Sequence, residues 1–80
     1  MQRSLSDPCL LIIDDDPKVR RGMSRLLERQ DYNVREAATG AEALQIAEEA
    51  AVAVAIVDVK LPDTDGADLI QRLLALSPET

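Results

Sequence analysis

Eighty residues hold at most one domain, and a chain of this length buries only roughly 60% of the surface its unfolded form exposes. Its composition, 46% hydrophobic and 30% charged with one tyrosine and no phenylalanine or tryptophan, is that of a globular chain with a thin core of Leu, Ile, Val and Ala. The net charge of −6 favours cations or basic partners and denies this segment the footprint of direct nucleic-acid binding, while the absence of histidine removes the usual general base and zinc ligand.

Residues 1–8 are polar and aperiodic and are expected to form a flexible arm ahead of a fold spanning residues 9–80. The first apolar stretch, Cys9–Ile13, is too short for a signal-peptide core or a membrane span, so a cytoplasmic chain without a membrane partner is expected. Cys9 has no second cysteine to pair with and reads as a small buried hydrophobe in a reducing compartment. Its continuous apolar run predicts a strand covered on both faces. Asp16 and Pro17 then read as the N-cap and first residue of a helix, with Val19, Met23, Leu26 and Leu27 as its apolar stripe and Gly22 weakening it without breaking it.

A second strand is predicted over residues 32–37, with Tyr32 and Val34 on one face. Thr39 and Gly40 open a second helix running to about Ala50, whose apolar face comprises Ala43, Leu44, Ala47 and Ala51. Val and Ile concentrate over Val52–Val57, which predicts a third strand ended by Asp58. After a loop at residues 60–65, Gly66–Leu76 shows a helical stripe of Ala67, Ile70, Leu73 and Leu74, and Ser77-Pro78 stops it.

The order β-α-β-α-β-α implies a three-layer, doubly wound α/β fold with parallel strands and right-handed crossovers. Ligands of such sheets bind beyond the carboxyl ends of the strands where the order reverses. With strand order 2-1-3, Asp14, Asp15 and Asp58 converge on one edge, on strands about 4.8 Å apart. Clustered carboxylates oppose one another's ionisation unless a cation or hydrogen-bond donors compensate. Hard oxygen donors suit Mg²⁺ ahead of Ca²⁺, and a carboxylate beside such an ion can attack phosphorus.

"LIIDDDP" at residues 11–17, "TGAEAL" at 39–44 and "IVDVKLPDTDG" at 56–66 together resemble the receiver domain of two-component response regulators, from about Cys9 to the C-terminus. The resemblance implies a flavodoxin-like receiver fold that acts as a phospho-accepting regulatory domain rather than an enzyme. Asp58 would accept the phosphoryl group from a sensor histidine kinase or a phosphotransfer protein. Asp15 would ligate Mg²⁺ directly, Asp14 would act chiefly through a metal-bound water, and the backbone carbonyl of Lys60 would add a ligand. Pro62 would fix the loop, and Gly66 would let the third helix start close to the site.

Full receivers carry two further strands, one ending in Ser or Thr and one in Lys, and Thr80 comes too early to be that hydroxyl. A partial receiver lacking its fourth and fifth strands is therefore expected, with self-association through the exposed sheet edge. Lys60 is not the missing lysine, and its side chain either lies over the acceptor pocket or is a solvated surface group.

Two rival functions remain open at this point. Asp14 and Asp16 match the strand-end D-x-D of haloacid-dehalogenase-like phosphatases, with Asp14 as nucleophile and Asp16 as acid/base, although Pro17 stands where that family usually has Gly. The other is a non-phosphorylated interaction module. An EF-hand at "DTDG" fails, because Gly66 in the sixth position puts Leu61 first and Arg72 twelfth, where carboxylates are required.

Overall fold

The five apolar residues of strand β1 (Cys9–Ile13) lie at the centre of a parallel three-stranded sheet, in order β2-β1-β3, flanked by β2 (Val34–Ala37) and β3 (Val52–Val57). The computed structural model describes residues 7–80, so the expected arm falls, but for Asp7 and Pro8, outside the described residues. Helices α1 (Pro17–Arg29), α2 (Gly40–Glu49) and α3 (Gly66–Leu76) complete the alternation. The crossover through α1 and the crossover through α2 run in opposite directions across the sheet, and both being right-handed puts the two helices on opposite faces. α3 packs beside α2.

Alternation along β1 divides the core. Cys9, Leu11 and Ile13 join Ala37, Ala43, Val52, Leu69 and Leu73 in one buried cluster under α2 and α3. Ile12, fully buried, points to the α1 face. Burial in that apolar setting pushes the Cys9 thiol above its ordinary pKa, so it is an inert core group, as expected.

The helix starts follow the side chains that cap them. The Asp16 carboxylate accepts from the Lys18 and Val19 N–H groups at 2.9 and 3.4 Å, with Pro17 at the first helical position. Thr39 Oγ1 accepts from Glu42 N–H at 3.1 Å, and Asp65 Oδ1 accepts from Asp68 N–H at 2.7 Å.

Several boundaries and faces differ from the sequence expectation. The second strand begins at Val34 rather than Tyr32, because α1 ends in a Schellman turn: Tyr32 N–H donates to the Leu27 carbonyl and Asp31 N–H to that of Glu28. Asp31, with φ 69°, holds the left-handed position that glycine usually fills, and Tyr32 is left half exposed. α2 stops at Glu49, and Ala51, assigned to its apolar face, is exposed outside the helix.

On α1 the residue pressed onto the sheet is Ser24, whereas Val19 and Leu26 of the expected stripe are 46% and 62% exposed. On α3 the buried face is Gly66, Leu69 and Leu73, and Ala67, Ile70 and Leu74 face outward. Ile70 and Leu74 line an apolar groove with Ala53, Val54, Ala55 and Val57 along the outer edge of β3, where the Thr80 hydroxyl donates to the Val52 carbonyl at 2.8 Å. Among the described residues β3 pairs with β1 alone, so its other edge is open, as the sequence predicts.

Candidate functional site

Register places the acids. Ile13 pairs with Val57, and the ladder continues one residue past each strand: Asp58 N–H donates to the Ile13 carbonyl at 2.9 Å and Asp14 N–H to the Ala37 carbonyl at 3.1 Å. Asp14 and Asp58 are thereby neighbours at the carboxyl ends of adjacent parallel strands. One carboxylate oxygen from each of Asp14, Asp15 and Asp58 lies within 4.8 Å of the others, with Asp15 exposed and the other two half-buried. The donors are all hard oxygens, with no nitrogen or sulfur group in the cluster, and such a set fits a hard divalent cation.

The loop after β3 is shaped to serve this edge. Lys60 faces Asp65 across an isolated antiparallel bridge whose hydrogen bonds belong to the flanking residues: Gly66 N–H to the Val59 carbonyl at 2.9 Å and Leu61 N–H to the Thr64 carbonyl at 3.3 Å. The Lys60 carbonyl is thus left out of the bridge, while its N–H reaches Asp58 Oδ1 at 3.4 Å. Lys60 itself is exposed, and its backbone rather than its ammonium meets Asp58. Gly66 brings the start of α3 against the main chain of Asp58, the close approach expected of it.

Asp16 stands apart from the cluster. Its carboxylate is occupied at the start of α1, and its N–H donates to Asp14 Oδ1 at 2.9 Å, which fixes the Asp14 carboxylate in a tight turn. A D-x-D phosphatase would need Asp16 free for proton transfer, and here it caps a helix.

Two side chains that sequence reasoning passed over hold the site from outside. Arg20, whose side chain is only 14% exposed, donates Nη1 to the Asp14 carbonyl at 2.9 Å and Nε to Glu36 at 3.0 Å, tying the β1–α1 turn to β2. In the sequence it was merely half of a dibasic pair; its place one turn after the Asp16 cap is the only local hint. Asp63 reaches from the β3–α3 loop to the first turn of α2, where its two oxygens accept from Gly40 N–H at 2.8 Å and Ala41 N–H at 2.9 Å. These bonds to Gly40 and then Ala41 hold its carboxyl below the usual carboxylate range.

Known proteins resemble this chain in sequence and in fold. A family model described as response regulator receiver domain matches residues 10–80. Over 72 residues the chain is 42% identical to a putative transcriptional regulator of Pseudomonas aeruginosa, covering 89% of this chain and 35% of that protein. It is also 42% identical over 72 residues to the sensor kinase CckA of Brucella abortus, covering 88% of this chain and 8% of that protein. A crystal structure of a response regulator from Burkholderia pseudomallei superposes with a TM-score of 0.86 at 35% identity, over 92% of this chain and 44% of that one. The chain therefore spans about a third or less of the length of these two curated relatives.

Proposed function

The chain belongs to the response regulator receiver domain family, and from that premise we propose that it is a phospho-acceptor signalling domain whose acceptor is Asp58. The observation that carries this reading is the meeting of Asp58 with Asp14 and Asp15 at the carboxyl edge of the sheet. A carboxylate oxygen of Asp58 forms the new O–P bond as the P–N bond of a donor phosphohistidine breaks, and the electron pair leaves with the imidazole. The donor is a sensor histidine kinase or a phosphotransfer protein, a reading supported by the likeness to the sensor kinase CckA. The Burkholderia pseudomallei relative, whose structure has a phosphorylated aspartic acid and a calcium ion, supports the same chemistry here.

Asp15, Asp14, Asp58 and the Lys60 carbonyl are the groups that would hold Mg²⁺. When bound, the ion supplies positive charge that offsets the three carboxylates and the phosphoryl oxygens. The chain's own contribution is placement: ladder bonds set Asp14 beside Asp58, the Asp16 N–H turns the Asp14 carboxylate, and Arg20 anchors the turn between them. The role is regulatory rather than that of a turnover enzyme, since an added dianion biases the surrounding surface between two states. No helix among the described residues is long and apolar enough to cross a membrane.

The test is transfer from a phosphorylated histidine kinase in the presence of Mg²⁺, with the parent chain and Asp58→Asn side by side. The parent acquires a base-labile phosphate and the variant does not. Label retained in Asp58→Asn, or moved to Asp14, would overturn the assignment.

A further inference from the structure

The start of α2 has three N–H groups without helical partners, at Gly40, Ala41 and Glu42. Thr39 at the cap serves only Glu42, and the other two are served by Asp63, a residue 22 and 23 positions further along the chain. The approach is close: a Cβ at position 40 would lie 2.5 Å from Thr64 Cγ2 and 3.3 Å from Asp63 Oδ1, so those side chains would have to give way to admit one. Asp63 is also the tip of the short hairpin closed by the Lys60–Asp65 bridge. That hairpin carries the Lys60 carbonyl on one arm and hangs from Asp58 at its base. The three-residue span from Lys60 to Asp63 leaves little slack, so fixing the tip fixes the arm.

We infer that Asp63 is a positioning residue for the metal and acceptor site: by clamping the hairpin tip to α2 it holds the Lys60 carbonyl and the Asp58 carboxylate at the carboxylate edge. This inference rests on the reading of Asp58 and Lys60 as metal ligands. It goes beyond that reading in giving α2, which supplies no ligand, a direct mechanical link to the site. An outer group that orients a ligand commonly changes metal affinity about tenfold when removed.

The experiment is titration of the ¹⁵N-labelled 80-residue chain with Mg²⁺ alone, followed by amide shifts, alongside thermal unfolding without metal. Asp63→Ala is compared with Asp63→Asn, which keeps one acceptor oxygen, and with Thr39→Ala, which removes the cap of the same helix without touching the hairpin. The Mg²⁺ dissociation constant rises about tenfold in Asp63→Ala and less in Asp63→Asn, and stays at the parental value in Thr39→Ala. In the parent, Mg²⁺ also shifts the Gly40 and Ala41 amides. Should Asp63→Ala fail to fold, Asp63→Asn against Thr39→Ala carries the same comparison. Parental affinity in the Asp63 variants, or equal weakening in Thr39→Ala, overturns the positioning role and leaves the metal site standing. A parent chain that binds no Mg²⁺ overturns both.

Discussion

Gly66 rests on the main chain of Asp58: a Cβ added to Gly66 would lie 2.7 Å from the Asp58 carbonyl oxygen and 3.1 Å from the Val59 Cα. Both are backbone atoms next to the acceptor, so neither can swing aside. Gly66→Ala must push α3 away from the edge or distort the loop, at a cost of about 1–3 kcal/mol. Urea unfolding of the variant should show that loss, and Mg²⁺ binding should weaken with it. A parental unfolding midpoint would mean that α3 shifts freely.

Asp15 and Asp16 are adjacent in sequence and differ in work. Asp15→Asn should raise metal-free stability slightly, by relieving its repulsion with Asp14 and Asp58, while abolishing most of the rise in thermal midpoint that Mg²⁺ confers by mass action. Asp16→Ala should lose a helix cap worth about 1 kcal/mol yet keep the Mg²⁺-dependent rise. Midpoints with and without millimolar Mg²⁺ read both effects, and equal losses of the Mg²⁺ increment would contradict the division.

Ser24 is 2% exposed between α1 and the sheet, and its hydroxyl has no hydrogen-bond partner among the described residues. A buried hydroxyl left unpaired costs about 1–3 kcal/mol, and alanine is the better helix former. Ser24→Ala should therefore stabilise the chain by about 1 kcal/mol, which for a domain of this size raises the thermal midpoint by about 4–8 °C. A lowered midpoint would show that the hydroxyl is satisfied in solution.

The Asp63 carboxyl is held below the usual carboxylate range by its bonds to Gly40 and Ala41, so the unfolded chain binds its proton more readily than the folded one. Its contribution to stability is complete above the unfolded carboxylate value of about 3.9 and is lost as pH falls through the lower folded value. The stability difference between parent and Asp63→Asn should stay constant from about pH 7 to 5 and shrink below about pH 4. Urea midpoints across that range measure it, and a difference independent of pH would remove the carboxylate from the clamp.

The parts legible in the sequence were those announced by local punctuation. Asp14 and Asp58 each end an apolar run, and two such strands side by side in a parallel sheet bring their ends together whatever lies between. The Asp16-Pro17 and Thr39-Gly40 starts were readable for the same reason. Tyr32 was misplaced because Asp31 takes the left-handed position usually marked by glycine, so the helix stop carried no flag. The α3 face was misjudged because Ile70 and Leu74 satisfy helical spacing as well as Leu69 does, and only packing against α2 and β1 selects Leu69. Asp63 accepts from backbone N–H groups more than twenty positions back along the chain, and Arg20 pairs with the Glu36 side chain on the neighbouring strand, and no local pattern records such bonds.

The central claim, that Asp58 is the acceptor, is tested most directly by locating the phosphoryl group chemically. An aspartyl phosphate is an acyl phosphate, and borohydride reduces it to the alcohol with release of phosphate, which turns that one aspartate into homoserine. The chain is phosphorylated with Mg²⁺ and a kinase donor, reduced, digested and sequenced by mass spectrometry. Homoserine at position 58 alone is the predicted result. Homoserine at position 14 or 15, or a phosphate that survives reduction, would contradict the account.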